Sequence, residues 1–413
     1  MNNGHNQGLD ALSTIWRVIK LPIQSVTKQD KIASSLVGVF IETSDYKQYY
    51  DSLGKLLSLK KELSHTVSED FFRRSLLQFI KPLKEAGEVA QQKHLTEFYS
   101  LLCAQPIQQF SIFRRISGIE ITSLVPLKLG DFCLYKTDIH KQELLNDSYN
   151  KPALFEEVSE YLIRVSVAAR EPEYSVQIAE ERFTQFERVI AYILGSQHVP
   201  HAISIFPENA SRVDLTYVAS AESAMHVRKR SRQGGRARLD IEDVTNLDGN
   251  DTLWNIVANP NPCELQARIL LAVDWLGQAR LERSASNAIL KAAIATEILF
   301  NLDNSTIAPS INSQIAESMA LVVGGDVETR LYILKQMKRL YGLRSSVTHR
   351  GKVDVDDYEV HLLMSFASEA VMILLSRKPY RLFEVEAQLK EYLNEMKFSG
   401  PALPRVIKDN EET

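Results

Sequence analysis

Cysteine is scarce in this chain, and what there is does not pair. Cys103, Cys133 and Cys263 are odd in number, far apart and without Cys-x-x-Cys spacing, which argues against a disulfide framework or a zinc site and suits a reducing cytoplasm. Long apolar runs are lacking too. No stretch reaches the roughly 18 apolar residues of a membrane span, and the polar start from Met1 to Asp10 has no basic region leading into an apolar one. The expectation is a soluble, unprocessed, cytoplasmic protein with no membrane partner. A formal net charge of -4 gives no global attraction to nucleic acid or anionic lipid, so a polyanion must be met by a local patch. Phosphate-binding loops, dinucleotide fingerprints, serine elbows and kinase signatures are absent. No cofactor and no metal is expected.

What is present divides by texture. A chain of 413 residues exceeds one ordinary core, so two or three domains are expected. Residues 1–105 read as a helical N-terminal region, with apolar residues at three- and four-residue intervals through Lys55 to Leu63 and Phe71 to Val89. Residues 106–258 read as α+β. There Ile112, Ile116, Ile119, Ile121, Leu127 and Leu129 fall among Gly118, Pro126 and Gly130, Tyr161 to Ala168 alternates like a strand, and Glu171-Pro172-Glu173 opens a helical pattern running to Gly195. Ala202 to Phe206 and Val213 to Val218 are further expected strands.

One segment of the middle region is strongly basic. Arg228, Lys229, Arg230, Arg232, Arg236 and Arg238 surround Gly234-Gly235 without apolar periodicity, which predicts an exposed, mobile loop. Two uses are open: a solvated loop with counterions, or contact with RNA or nucleotide phosphates. His198-Val-Pro-His201 reads as loop histidines rather than metal ligands, because no cysteine or paired carboxylate lies near.

The break at Asn259-Pro-Asn-Pro262 begins a helical third domain, 259–399, with a polar tail, 400–413. Five helices are expected: one from about Glu264, one from near Ser286, one around Ser310 to Val323, one after Asp326 as N-cap, and one from Asp354–Asp357 to about Arg377. Leu382 to Met396 adds an amphipathic segment. The fourth helix carries Val327, Leu331, Leu334, Met337 and Tyr341 on its expected apolar face.

Three residues further along that face stands Arg344, an ion where packing asks for a hydrophobic side chain. Glu297 is similarly out of place, on the stripe of Ile289, Ala293 and Phe300 in the second helix. Each ion is costly alone and tolerable when paired. His349 follows Arg344 by five residues, about 140° around an undistorted helix, so the two do not point at one target unless the backbone bends or two chains meet. Gly351 suits the helix end, which places His349 in the last turn. An Arg that grips phosphate in a fork, beside a residue type that titrates near neutrality, fits RNA cleavage by the substrate's own 2′-hydroxyl. Arg344 would offset charge on the phosphorane, His349 would exchange a proton with the 2′- or leaving 5′-oxygen, and Glu297 would orient the Arg.

The run Leu340-Tyr-Gly-Leu-Arg-Ser-Ser-Val-Thr-His-Arg-Gly351, preceded by Ala295-Thr-Glu-Ile-Leu-Phe300, resembles the signature of the Apea-like HEPN family. That family pairs an Ala-x-Glu-x-Leu-Phe helix with a later Leu-Tyr-x-x-Arg-Ser-x-x-x-His-Gly segment. The resemblance covers about residues 262 to 395. It implies a helical bundle, a dimeric arrangement of the Arg and His motifs, and RNA cleavage in defence or toxin settings, with cyclic-phosphate products. Ser345 after the Arg is usual for this branch, whereas many HEPN nucleases have Asn, His or Asp. Arg350 stands between His349 and Gly351 where the family often has Gly directly, and either adds a phosphate contact or shifts the helix end.

Two function classes follow. The first is a regulated ribonuclease effector, a mainly α chain in which an N-terminal sensor or partner-binding region controls a C-terminal HEPN bundle. Its catalytic set is Arg344, His349 and Glu297, with Ser345, Arg350, Arg228, Lys229, Arg230 and Arg232 as substrate contacts. The second is a non-catalytic HEPN scaffold that dimerises or binds RNA or nucleotide. A homodimer or higher homo-oligomer is expected in either case.

Overall fold

The computed structural model describes residues 2–21, 31–34, 38–147, 160–195, 204–206, 214–220, 223–230, 237–238, 249–282, 284–302, 311–351 and 354–398. The chain is mostly helical, with a small antiparallel sheet in its middle. It separates into two compact units, residues 1–112 with 166–181, and residues 113–165 with 182–413.

In the first unit, helices α1 (Asn2–Val18), α2 (Tyr46–Ser58), α3 (Lys61–Ser64), α4 (Glu69–Glu85) and α5 (Gln92–Ala104) close over a core that includes Ile15, Tyr49, Leu53, Phe72, Leu76 and Phe98. Helix α1 begins at Asn2, inside the region expected to be helical. The helical expectation for this region missed a three-stranded sheet, β1 (Ile19–Lys20), β2 (Lys31–Ser34) and β3 (Val39–Glu42), in the order β1-β3-β2. These strands are too short to show an alternation against the helical pattern around them. A buried polar knot also holds this unit. Ser68, the N-cap of α4, accepts from Phe71 N, and Glu171 Oε1 accepts from Ser68 N at 2.7 Å. Arg170 donates to Thr66 Oγ1 at 3.2 Å and to the Cys103 carbonyl at 3.0 Å.

Five strands, β4 (Gln108–Ser117), β6 (Leu127–Leu129), β7 (Phe132–Lys136), β8 (Tyr161–Ala169) and β9 (Ser204–Phe206), form a sheet in the order β6-β7-β8-β4-β9. The β7–β8 ladder is antiparallel, with Leu134 opposite Ile163, and both residues are fully buried. Strand β5 (Ile119–Glu120) pairs in parallel with β12 (Ala237–Arg238). A hairpin of β10 (Asp214–Ser220) and β11 (Ser223–Arg230) lies between them in sequence. Helices α6 (Lys141–Asp147) and α7 (Pro172–Leu194) complete the middle region.

The second unit continues through α8 (Asn250–Ala258) into α9 (Glu264–Leu281), α10 (Ala285–Phe300), α11 (Ile311–Val323), α12 (Val327–Arg350), α13 (Asp357–Ser376) and α14 (Glu386–Phe398). The expected five helices and the added amphipathic segment therefore form within a few residues of their expected bounds. Asp326 caps α12 by accepting from Thr329 N, and Asp356 with Glu359 makes a capping box on α13. Helix α10 packs on α9, α12 and α13, and α11 packs on α12, α13 and α14. Gly277 permits a close crossing: a Cβ there would lie 2.1 Å from the Arg188 carbonyl oxygen on α7. Beside it Arg188 Nη1 donates to both carboxylate oxygens of Asp274 at 2.8 and 2.9 Å. Arg268 donates to the carbonyls of Ile298 and Asn301 at 2.7 and 2.9 Å, closing the C-terminus of α10.

Helix α13 is the described helix that is long and apolar enough to cross a membrane. More than half of its apolar window is buried inside the fold, between α10 and α11, as in a core helix.

Candidate functional site

The site is built on α10 and α12. Helix α10 buries Ile289, Ala292, Ala293, Thr296 and Phe300. Helix α12 buries Ile333, Met337, Leu340, Tyr341 and Val347. This differs from the expected apolar face: Val327 and Leu331 are 60% and 61% exposed. At about 100° per residue Ile333, Leu340 and Tyr341 lie within about 60° of Met337 around the axis, whereas Val327 and Leu331 lie about 80° and 120° from it and face outward. From Met337 onward the expectation and the structure coincide, and Arg344 falls on the buried line between Leu340 and Val347.

Arg344 Nη2 lies 3.0 Å from Glu297 Oε1, with side-chain exposures of 31% and 28%. The pair is half-buried. Its Nε is shielded from solvent and has no hydrogen-bond partner. One nitrogen of the fork is thus engaged, while a buried donor faces no acceptor within the described residues.

A polar pin that the sequence reading did not separate from the apolar stripe sits one turn away. Tyr341 Oη donates to the Ala293 carbonyl at 3.2 Å, Thr296 Oγ1 donates to the same carbonyl at 2.8 Å, and the two hydroxyls lie within hydrogen-bond distance of each other. Burial pushes the Tyr341 phenol well above the ordinary tyrosine range, with Glu297 adding to the shift and Thr296 and Arg344 opposing it. Thr296 and Tyr341 are neighbours of Glu297 and Arg344 in their helices, so the pin fixes the backbones that carry the ion pair. Its sequence signal was a hydroxyl on each of two otherwise apolar stripes.

His349 is exposed. Helix α12 runs unbroken as an α-helix from Val327 to Arg350 and ends at Gly351 with φ 77°, a backbone conformation that favours glycine. No interruption of the helix turns His349 toward Arg344, so within one chain the two stay about 140° apart around the axis. Arg350 is exposed and Ser345 partly so. Thr348 and Ser346 turn their hydroxyls back to the carbonyls of Arg344 and Gly342 at 3.0 and 3.1 Å, using donors that would otherwise compete at the site.

The basic segment is corrected in part. Arg228, Lys229 and Arg230 are strand residues of β11, in register with Thr216, Leu215 and Asp214, rather than members of a mobile loop. Antiparallel pairing with β10 supplies the backbone partners that the missing apolar periodicity did not announce. Arg238 lies in β12. Arg232 and Arg236 lie outside the described residues, as do His198 and His201. Among the described residues, no group of three or more His, Cys, Asp or Glu is arranged to hold a metal ion. Set against models of known protein families, curated proteins and solved structures, the chain matches none.

Proposed function

We propose that this chain is a metal-independent endoribonuclease of HEPN type, acting as a homodimer with its site assembled from two copies of α12. The carrying observation is the geometry of that helix. Arg344 is held on the buried line by Glu297 with a donor unpaired, while His349 stands exposed at the far end of an unbroken helix. One chain thus offers the parts of a site without their convergence, and a second copy supplies the missing half.

In the proposed reaction the RNA 2′-oxygen attacks the adjacent phosphorus and the bond from phosphorus to the 5′-oxygen breaks. The proton leaves the 2′-hydroxyl and another reaches the 5′-oxygen, giving a 2′,3′-cyclic phosphate and a 5′-hydroxyl. His349 mediates one of these proton transfers. Arg344 meets the charge growing on the phosphorane oxygens, and Glu297 with the Tyr341–Thr296 pin keeps its guanidinium in place. Ser345 and Arg350 contact the substrate beside the scissile phosphate, and Arg228, Lys229, Arg230 and Arg232 hold phosphates outlying from it. Because the nucleophile belongs to the substrate, cleavage persists in EDTA. The first 250 residues act as the sensor or partner-binding region of a defence or toxin effector.

The test is incubation of purified protein with total RNA in EDTA, followed by analysis of the new ends. Cyclic-phosphate and 5′-hydroxyl termini are expected, and intact RNA overturns the reading. A second reading, a non-catalytic HEPN scaffold that dimerises or binds RNA or nucleotide, is favoured by the Arg344–Glu297 contact itself, since a direct 3.0 Å ion pair also serves purely to hold two helices. Its mark is RNA binding and dimerisation that survive while no RNA is cut.

A further inference from the structure

The outer face of α12 carries a second pattern, distinct from the buried line that holds Arg344. At about 100° per residue, Lys335, Lys338, Gly342, Ser345 and His349 fall within about 40° of one line along the helix. Lys335, Lys338, Gly342 and His349 are exposed and Ser345 is partly so. Neither lysine has an ion-pair or hydrogen-bond partner among the described residues, whereas Arg339, just off the line, is held by Glu359. The cations that lie on the line are therefore free, and the one beside it is neutralised.

Gly342 sits in the middle of this line with nothing within 4 Å of where a Cβ would be. A glycine in a helix interior costs about 1 kcal/mol against alanine, and no crowding among the described residues requires it. Its effect is a shallow, side-chain-free saddle between the lysines and His349. Two tyrosines border the line on the α13 side. Tyr332 is 46% exposed and Tyr358, in the first turn of α13, is 61% exposed. Tyr332 leans edge-on against Phe366, and the Arg339–Glu359 contact sets the first turn of α13 beside the middle of α12.

Unpaired cations in a row, a bare backbone saddle and exposed aromatic rings alongside are the elements by which proteins hold single-stranded nucleic acid. The cations follow the phosphates, and the rings accept bases that a duplex would keep stacked. We infer that the outer face of α12, from Lys335 through Lys338 and Gly342 with Tyr358 beside it, is a track for single-stranded RNA that leads to His349. Lys335 and Lys338 lie about 21 and 17 Å from His349 along the axis, so they grip phosphates a few nucleotides from the cut. The track rests on the nuclease reading for its purpose, but its binding is measurable without cleavage.

The experiment uses the full-length protein and a single-stranded oligonucleotide carrying 2′-O-methyl groups, which lacks the attacking hydroxyl, with affinity read by fluorescence anisotropy against salt. Lys335→Glu with Lys338→Glu is expected to weaken binding at least about tenfold and to lower the salt slope by about 1.4, two single-strand phosphate contacts. Lys335→Gln with Lys338→Gln gives the same direction if charge reversal disturbs folding. Tyr358→Ala is expected to weaken binding about tenfold, the loss of one stacked base. The exposed cations Lys55 and Lys61 of the first unit, reversed as a control, leave affinity within about twofold.

Wild-type affinity and salt slope in the lysine variants would overturn the track, as would equal affinity for a duplex of the same sequence. A change of oligomeric state with RNA affinity unchanged would assign the face to a second copy instead. If wild-type protein binds through these residues but cuts no unmodified RNA, the track stands and the nuclease reading fails. If unmodified RNA is cut and the lysine variants show no loss of kcat/KM, the nuclease stands and the track fails.

Discussion

Replacing Glu297 by Gln removes the charge facing Arg344 while keeping the shape of the side chain, and the structure sets how much should be lost. At 3.0 Å the gross attraction is about 5 kcal/mol with an effective dielectric of about 20, and under about 1.5 kcal/mol in bulk water. The two side chains are 31% and 28% exposed, so solvent screens the pair and desolvation consumes much of the rest. The net coupling should fall between the roughly 0.5 kcal/mol of an exposed pair and the 3–5 kcal/mol of breaking a buried one, at about 1–2 kcal/mol. Because the Tyr341–Thr296 pin already fixes both helices, little of that coupling is spent on ordering the backbone. The assay is a double-mutant cycle with Glu297→Gln and Arg344→Met, read by urea denaturation at low and high salt. High salt should trim the coupling without abolishing it. A coupling energy below about 0.3 kcal/mol would refute the claim that the pair joins α10 to α12.

Gly277→Ala places a methyl group against the Arg188 backbone, and overpacking of this kind should destabilise the second unit by about 2–3 kcal/mol; a Tm within a degree of wild type would show that α7 and α9 cross less closely. Gly342→Ala meets open space and should instead stabilise by about 0.5–1 kcal/mol through helix propensity, with loss of stability in denaturation contradicting that. Burial raises the phenols of Tyr49, Tyr99 and Tyr341 above their ordinary value. Their stabilising contribution is therefore complete below about pH 10 and is lost as pH rises beyond it, because the unfolded chain releases protons that the folded chain keeps. Urea titrations across that range should show stability falling from about pH 10, less steeply in Tyr341→Phe, and a flat profile would contradict the buried phenols.

Much of the C-terminal half was legible because its helices are amphipathic, well capped and separated by glycine and proline. Asp326, Asp356 and Gly351 stand where capping chemistry requires them, and an ion at Arg344 on an apolar line was visible as an anomaly before any contact was known. The exposure of Val327 and Leu331 was not legible, since steps of three and four residues keep the helical spacing while the positions drift about 80° and 120° around the axis from Met337. The β1–β3 sheet escaped because its strands are two to four residues long. The β10–β11 hairpin was half seen: β10 alternates, while β11 ends in Arg228, Lys229 and Arg230, whose charge masked a strand. The Thr296–Tyr341 pin needs two residues 45 positions apart to be brought together, which no local pattern announces.

The composite site is tested most directly by mixing two inactive proteins. His349→Ala should lose roughly 10²–10⁴-fold in RNA cleavage while remaining folded, the range for a general acid–base residue, and Arg344→Ala should fail as well. If two chains complete one site, subunit exchange between the two variants restores part of the activity in EDTA, or either variant poisons wild-type dimers beyond simple dilution. A strictly monomeric wild-type protein with full activity would contradict the shared site, and cleavage surviving both substitutions would contradict the nuclease itself.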